Sequence, residues 1–370
     1  MIERGILYIA HPTTNSMKQQ LLLLIKYLNR ARYKPYLVIS HDPYMIEHLD
    51  RLNIEYVVVP ELASANKLSV GGAAKKVEEF ARDKERVINL IHSHDYQAGF
   101  VAAPVAKALA VPHVCTIYTV DDACMPKKKG LLAVANDKIA AMPDRLIAVS
   151  ETIAQRMAGL NKVDTIYYGI EAERFGETLD TEHLFRELNV SKENKLVGAV
   201  TRLSPEKGNS VFIDAAVLLV GKFPEMHFVI TGDGDDKEQL KKQAAERGLA
   251  QHFHFLGFRR DVALILKSLE VVVIPNLASN IPMILLEALA CKRPVVATDV
   301  AGVREVAGES CVDFVKPGDS GALAAAIEAV LASKLKSMSK VQTGQKLVQD
   351  KFTVLHMMKP TESIYMEVAR

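Results

Sequence analysis

The chain has 370 residues, which predicts two or three domains of ordinary size. Its 46 Lys and Arg residues nearly balance its 44 Asp and Glu residues, and the net charge of +2 excludes a protein whose main task is to bind a nucleic acid backbone. Hydrophobic residues make up 49% and charged residues 24%, which is typical of a globular protein and not of a disordered one.

The first half of the chain alternates short apolar runs with longer amphipathic ones. It opens on MIERGILYIAHP, which enters a strand-like run directly and lacks the apolar region and cleavage site of a signal peptide. Ser150 is predicted to cap the helix that follows it. Strands are predicted at residues 5–10, 35–40, 56–59, 90–94, 113–119 and 145–150, and helices at 17–32, shortly after 40, at 99–109, at 131–141 and from 151.

No strand-like run is found around residues 168–188, and the alternation of strand-like and helical segments resumes after them. Several strand-like runs are apolar without alternation, as expected of parallel strands that are covered on both faces. The pattern therefore predicts two doubly wound α/β domains in tandem, joined near residues 169–190, and a helical tail over 341–370. Strands are predicted at 195–200, 227–232, 253–257, 271–275, 294–298 and 311–315, and helices at 210–223, 238–247, 262–268, 283–291 and 321–331.

Cysteines and histidines give no sign of a metal centre. Cys115, Cys124, Cys291 and Cys311 are scattered and form no C-x-x-C pair, which predicts reduced core thiols and neither disulfides nor a zinc site. His92 and His94 share one face of a predicted strand, but no third ligand cluster is near them, so we expect no metal. No apolar run approaches the roughly 18 residues of a membrane span, and we expect a cytoplasmic protein.

The segment TRLSPEKG, residues 201–208, follows a predicted strand and precedes a predicted helix. Arg202 and Lys207 therefore stand at the carboxyl end of a strand, where ligands of open parallel sheets bind. Two cations beside the positive end of a helix dipole suit a diphosphate. A solvated basic turn explains the same spacing, and the residues alone leave both interpretations open.

A second segment, residues 275–306, leaves a strand through a loop and enters a helix near Pro282. Proline suits a helix start, and the amides around Met283 and Ile284 are expected to face an anion. Glu287 interrupts the apolar run MILLEALA. A carboxylate in such a run either stands at the edge of the apolar face or is paired with a ligand, for example by accepting hydrogen bonds from ribose hydroxyls. A solvent-facing Glu on an amphipathic helix is the alternative.

Taken together, these segments resemble the family 4 (group 1) retaining glycosyltransferases of GT-B fold. The resemblance covers essentially the whole chain. It implies two facing Rossmann-like domains, an acceptor-side domain at 1–172 and a nucleotide-sugar domain at 173–345, with helices 346–370 packing back on the first. The motifs that carry it are GAVTRLSPEKG (198–208), HFVITGDGDDKEQL (227–240), FLGFRRDV (255–262) and residues 281–306, together with residues 90–119, 143–154 and 167–175.

The resemblance implies transfer of a sugar from a nucleoside diphosphate sugar to an acceptor, with retained anomeric configuration and with no cofactor or metal required. Arg202 and Lys207 would bind the diphosphate and neutralise the leaving group. Glu287 would bind the ribose as the second Glu of an E-x7-E motif. The other donor contacts implied by the family are Gly232, Gly257, Phe258, Arg259, Ser279, Asn280, Ile281, Pro282, Met283 and Ile284.

The sequence departs from the family pattern on the sugar and acceptor side. Ser279 stands where the first Glu of E-x7-E belongs, and Tyr118 stands at the His of a T-x-H pattern. Residues 11–20 replace a glycine-rich turn, Tyr168 replaces the Asn of an Asn-Gly pair, and Ala301 replaces a glycine. Losing a charge-assisted contact at Ser279 costs roughly 1.5–3 kcal/mol, or one to two powers of ten in rate if the contact forms only in the transition state.

On the acceptor side we expect Asn15, Ser16, His94, Asp95 and Tyr118 to line the cleft. A UDP-sugar is favoured over a GDP-sugar as donor, and the expected acceptor is a glycan or a lipid-linked molecule of cell envelope polysaccharide synthesis. Because of the departures, a catalytically weak nucleotide-binding homologue that acts as a regulatory or complex subunit is the alternative. A sugar nucleotide epimerase of the same fold is a third interpretation.

The basic run Lys127–Lys129 precedes the apolar segment GLLAVA. Such a cluster predicts either peripheral contact with an anionic membrane surface, at roughly 1 kcal/mol per Lys, or a solvated helix entry. With a lipid-linked acceptor, the first interpretation would put the protein on the inner face of the membrane.

Overall fold

The computed structural model describes residues 4–63, 67–118, 143–157, 162–278 and 281–369. The chain forms two compact units, one made of Met1–Gly169 with Val354–Arg370 and the other of Ile170–Thr353. Each unit contains one parallel sheet. The predicted helix 131–141, Cys124 and the run Lys127–Lys129 lie outside the described residues.

The first unit is built on a seven-stranded sheet in the order β3-β2-β1-β4-β5-β6-β7. Six of the seven positions of β1 are buried, as expected of a parallel strand covered on both faces. Its strands are β1 Arg4–Ala10, β2 Tyr33–Ile39, β3 Glu55–Val58, β4 Ile88–His94, β5 His113–Ile117, β6 Arg145–Ala148 and β7 Val163–Thr165. Its helices are α1 Asn15–Tyr27, α2 Pro43–Arg51, α3 Lys67–Ala81, α4 Asp95–Leu109 and α5 Glu151–Arg156, with a 3-10 turn at Pro60–Ala63.

Helix ends in this unit follow from local side chains. The Ser150 hydroxyl accepts a hydrogen bond from the Ile153 amide at 3.0 Å, which confirms the predicted cap. Helix α1 ends at Tyr27, five residues before the predicted end at Arg32. The reason is a turn at Asn29, whose carbonyl accepts hydrogen bonds from the amides of Arg32 and Tyr33.

The second unit is built on a six-stranded sheet in the order β10-β9-β8-β11-β12-β13. Phe212, Phe228 and Phe253 pack their rings together in its core. Its strands are β8 Lys195–Val200, β9 Met226–Thr231, β10 Phe253–Phe255, β11 Val271–Ile274, β12 Val295–Thr298 and β13 Asp313–Val315. Its helices are α6 Ala172–Gly176, α7 Glu182–Leu188, α8 Asn209–Val220, α9 Lys237–Glu246, α10 Val262–Ser268, α11 Met283–Ala290, α12 Ala301–Val306, α13 Ser320–Ala332 and α14 Lys334–Lys351, with a 3-10 turn at Pro205–Lys207.

The last helix, α15 Val354–Val368, belongs to the first unit. The sequence places the boundaries at 172/173 and 345/346, whereas the chain changes units at 169/170 and at 353/354. Helix α14 stays with the second unit because Gly344 packs so tightly that a Cβ there would lie 2.5 Å from Leu289 Cδ2. Only α15, and not the whole tail from 346, therefore packs on the first unit.

Five described elements were not predicted: α3, β7, α6, α7 and α12. Helix α3 forms despite an internal Gly-Gly pair because Ala73, Val77 and Ala81 bury one face of it. As predicted, Cys115, Cys291 and Cys311 are free thiols in the core. None of the helices among the described residues is long and apolar enough to span a membrane.

Candidate active site

In the second unit, the loops that follow three neighbouring strands touch one another. Strand β8 has β9 on one side and β11 on the other, so the strand order reverses there, and ligands of open parallel sheets bind at such points. A Cβ at Gly232 would lie 1.8 Å from the Thr201 carbonyl oxygen, and one at Gly208 would lie 1.9 Å from that of Pro275. Both residues have positive φ, so only glycine fits.

Backbone hydrogen bonds fix the same loops. The Gly232 amide donates to the Gly257 carbonyl after β10 at 2.8 Å, and the Leu277 amide after β11 donates to the Glu206 carbonyl at 2.8 Å. The ends of β8, β9, β10 and β11 are thereby joined into one rigid platform. Sequence reasoning missed Glu206 as a site residue, although it lies inside the SPEKG motif.

Arg202 and Lys207 both lie on this platform. The Arg202 side chain is exposed and that of Lys207 is half-buried, and neither forms an ion pair within the described residues. Burial lowers the pKa of Lys207, Glu206 opposes that effect, and the charge of Arg202 adds to it. The Glu206 carboxylate is held by the Ser204 hydroxyl at 2.6 Å. A bound anion would relieve the repulsion between the two cations.

Glu287 is buried on α11, with 8% of its surface exposed, so the alternative of a solvent-facing Glu is wrong. Burial raises its pKa to about 7, and the Arg174 guanidinium partly opposes this. Within the described ranges no group donates a hydrogen bond to its carboxylate. Such a carboxylate is costly to ionise unless a ligand supplies donors.

Helix α11 begins after Pro282, which is its N-cap in extended conformation. The first backbone bond of the helix runs from the Leu285 amide to the Pro282 carbonyl at 3.0 Å. The side chain of Met283 is buried and those of Ile281 and Ile284 are half-buried. Ser279 and Asn280, which precede them, lie outside the described residues.

The loop after β10 carries Gly257 with φ of 67° and the exposed ring of Phe258. The Arg259 guanidinium, which the resemblance implies as a donor contact, is bound to Asp261 through Nε at 2.8 Å and Nη2 at 2.7 Å and also pairs with Glu187. Its hydrogen bonds to the carboxylates of Asp261 and Glu187 raise the pKa of Arg259. A ligand contact through this side chain would require these bonds to break.

In the first unit, the carboxyl ends of β4 and β5 carry a buried polar cluster. His92 and His94 share one face, with ring centroids 4.4 Å apart. His92 bonds through Nδ1 to the Tyr365 hydroxyl at 2.6 Å and through Nε2 to the Thr116 hydroxyl at 2.7 Å. The Tyr365 hydroxyl also lies 3.2 Å from that of Tyr8, so this cluster connects α15 to the sheet. Sequence spacing gave no signal for the role of Tyr365.

His94 is completely buried and bonds through Nδ1 to the Tyr118 hydroxyl at 2.8 Å. Burial lowers the pKa of His94 to about 3 and raises that of Tyr118 well above its ordinary value, so both are neutral. The expectation that the His94 ring itself lines a cleft is therefore wrong, because Tyr118 and the sheet enclose it. Tyr118 stacks on Tyr168 at 6.1 Å between centroids.

The other acceptor-side candidates surround helix starts. Asp95 begins α4, is half-buried and has φ of 72°. Asn15, which is exposed, and Ser16, which is half-buried, begin α1, whose cap is Thr14. Neither Asn15 nor Ser16 forms a hydrogen bond with His94 or Tyr118 in the described part of the chain. Across the described ranges, no group of three or more His, Cys, Asp or Glu side chains is arranged to hold a metal ion.

Two family models match this chain. Residues 180–347 match the glycosyl transferases group 1, and residues 17–174 match the glycosyltransferase family 4. The two matches are separated by residues 175–179 and otherwise leave only residues 1–16 and 348–370 uncovered.

Individual proteins agree with these models. A glycosyltransferase of Methanocaldococcus jannaschii, named as uncharacterized, is 27% identical over 298 residues, which is 75% of each protein. The UDP-Gal:alpha-D-GlcNAc-diphosphoundecaprenol alpha-1,3-galactosyltransferase of Escherichia coli is 26% identical over 59% of this chain and 60% of its own length. Anabaena HepE, solved in complex with UDP and glucose, covers 99% of this chain and 100% of its own, with a TM-score of 0.83 at 22% identity.

The two parallel-sheet units, the platform at the end of β8 and the matches over nearly the whole chain agree with one another. The chain therefore belongs to the family 4 (group 1) glycosyltransferases, a family of enzymes, and has the GT-B fold.

Proposed function

We propose that the protein transfers a sugar, with retention of anomeric configuration, from a UDP-sugar to a glycan or lipid-linked acceptor. The observation that carries this proposal is the pair Arg202 and Lys207, which stand on the β8 platform without ion-pair partners among the described residues. Fixed cations aimed at a departing diphosphate stabilise charge that develops in the transition state, which is usually the largest catalytic contribution.

In this proposal Lys207 and Arg202 bind the diphosphate, and Gly232 and Gly257 let the backbone approach the donor. The Glu287 carboxylate accepts hydrogen bonds from the ribose diol, which would supply the donors that the protein does not. Two protein cations suffice to neutralise the leaving group, so the reaction would need no metal or cofactor. The backbone of Ile281–Ile284 at the start of α11 and the Phe258 ring would complete the donor site, with Ser279 and Asn280 before them.

UDP as the nucleotide is supported by two of the similar proteins, because HepE was solved with UDP and the Escherichia coli enzyme is named for UDP-Gal. The alternative of a subunit without catalysis is less favoured, because the similar proteins are named as glycosyltransferases. The acceptor-side candidates would then be Asn15, Ser16, Asp95 and Tyr118.

A donor panel tests the proposal. Purified protein would be incubated with UDP-glucose, UDP-galactose, UDP-N-acetylglucosamine and GDP-mannose, and the release of nucleoside diphosphate would be measured with and without membrane lipid extract as acceptor source. Release from one UDP-sugar that increases with the acceptor supports the proposal. Calorimetric UDP binding without release from any donor would favour the regulatory alternative.

Membrane contact belongs to the same proposal, because a lipid-linked acceptor lies at a bilayer surface. Membrane binding is measured by co-sedimentation with anionic vesicles of phosphatidylglycerol and phosphatidylcholine, in comparison with neutral vesicles of phosphatidylcholine alone. Binding that needs the anionic lipid and weakens with salt would support contact through basic residues. Equal recovery in the supernatant with both vesicles would contradict it.

A further inference from the structure

The buried pair His94 and Tyr118 contains an unusual atom. His94 is 0% exposed, and its Nδ1 lies 2.8 Å from the Tyr118 hydroxyl oxygen. Its other ring nitrogen, Nε2, is buried with no hydrogen-bond partner in the described part of the chain. The neutral ring carries one proton, and the position of that proton decides which member of the pair is the donor.

Two arrangements are possible. In the first, the Tyr118 hydroxyl donates to Nδ1, and the ring proton is on Nε2, where nothing accepts it. In the second, Nδ1–H donates to the Tyr118 oxygen, and Nε2 holds only a lone pair. A buried N–H without an acceptor is the rarer and costlier defect, because unsatisfied acceptors are better tolerated.

The surroundings of Tyr118 favour the second arrangement as well. In that arrangement the Tyr118 hydroxyl does not donate to His94, so its proton needs another hydrogen-bond acceptor. Tyr118 is 6% exposed and borders a small cavity of about 20 Å³ together with Thr116 and Tyr168. Tyr118 therefore borders open space, whereas His94 does not border this cavity and an Nε2 proton would find no acceptor there.

We propose that His94 is a positioning residue, which donates from Nδ1–H to the Tyr118 oxygen and thereby leaves the Tyr118 hydroxyl as a hydrogen-bond donor to a substrate oxygen. Tyr118 directly follows β5 at the carboxyl edge of the sheet, where ligands of parallel sheets bind. The group it offers is an uncharged donor, which suits a sugar hydroxyl oxygen. The role of the hydroxyl in turnover rests on the proposed function, whereas the position of the ring proton does not.

Nuclear magnetic resonance of the full chain labelled with 15N-histidine tests the position of the proton. The His94 signals are those that disappear in His94→Asn. We expect one protonated nitrogen, Nδ1, with a bare Nε2 and no titration between pH 6 and 8. A proton on Nε2, or a ring that titrates in this range, would overturn the proposal.

Kinetics test the role of the hydroxyl, with UDP release from the most active sugar of the donor panel. Tyr118→Phe and His94→Leu should each lower kcat at least tenfold, with KM for the donor within threefold of the parent. His94→Asn places an amide donor near the position of Nδ1 and should keep kcat within threefold. The double variant His94→Leu with Tyr118→Phe should lose no more than the single variants, because both act through one hydroxyl.

A merely structural role gives a different result. It would lower the melting temperature of His94→Leu and His94→Asn alike and would make the two losses of kcat additive, which contradicts the proposal. A protein that turns over no donor refutes the proposed function, and the labelled spectrum then still decides the tautomer of His94.

Discussion

The Arg174 guanidinium on α6 opposes the protonation of Glu287 on α11, which burial would otherwise favour even more strongly. The carboxyl pKa nevertheless stays at about 7. Glu287 therefore changes charge in the pH range in which the enzyme would be assayed, and two of the following predictions depend on this.

Donor binding should weaken as the pH falls below 7. Ribose hydroxyls donate to a carboxylate, so binding selects the ionised form of Glu287, and protonation competes with it. With a free-state pKa of about 7, the affinity for UDP-glucose should be about tenfold lower at pH 6 than its plateau above pH 8. Calorimetry at three pH values measures this, and Glu287→Gln should bind weakly with no pH dependence. If the affinity of Glu287→Gln depended on pH as steeply as that of the parent, the Glu287 carboxyl would be excluded as the source of the pH dependence.

Stability should respond to the same group in the opposite sense. The pKa of Glu287 is raised on folding from its ordinary 4.5 to about 7, so the folded state holds the proton more tightly and loses stability as the pH rises through this window. The full difference corresponds to about 3 kcal/mol. Glu287→Gln should thus be more stable than the parent at pH 8 and nearly equal at pH 5 in urea unfolding. Glu270→Gln, at an exposed position, is the control and should leave the stability unchanged at both pH values.

Lys207→Ala should lower UDP affinity or turnover at least tenfold, because it removes a partly desolvated cation from the proposed diphosphate site. Calorimetry with UDP measures the binding, and Lys316→Ala, an exposed lysine of the same unit, is the control. Equal affinities of the parent and Lys207→Ala would refute the diphosphate assignment.

Gly208→Ala should destabilise the second unit and abolish donor binding. It adds a methyl group 1.9 Å from the Pro275 carbonyl oxygen, at a φ of 66°. Gly248→Ala separates the two effects, because Gly248 has a φ of 77° but nothing within 4 Å of its Cβ position. The control should lose about 1–2 kcal/mol, the cost of a left-handed conformation, and keep UDP binding. Equal unfolding free energies of the two variants would show that the contact with Pro275 is relaxed.

Tyr365→Phe should lower the stability of the first unit by about 1–3 kcal/mol, because the buried groups of Tyr8 and His92 each lose a hydrogen-bond partner. Thermal unfolding followed by circular dichroism measures the loss. Tyr56→Phe removes a hydroxyl of the same kind whose bond to Asp50 is exposed, and it should change little. A melting temperature of Tyr365→Phe that equals the parent's would mean that water replaces the lost hydroxyl.

Much of the fold could be predicted because the information is local. β8 and α10 have the predicted boundaries, since each is a compact apolar segment between polar residues. Helix α3 could not be predicted, because its stability comes from the packing of Ala73 and Val77 into the core of the first unit, which outweighs the low helix propensity of two glycines.

The candidate site also has one part that local sequence predicts and one part that it does not. Arg202, Lys207 and Glu287 could be named from motifs, but the burial that moves the pKa of Glu287 is a property of the packed unit. The unsatisfied nitrogen of His94 and the partners of Tyr365 depend on contacts between distant parts of the chain, which no local spacing encodes.

The hydrogen bond between Tyr8 and Tyr365 joins residues 357 positions apart. During synthesis on the ribosome, β1 is made before the second unit and α15 after it, so the buried Tyr8 hydroxyl meets its partner only when α15 has emerged. The second unit is continuous in sequence, from Ile170 to Thr353, and can be completed earlier. A nascent chain would thus complete the second unit first, and the first unit would stay open until α15 has been made.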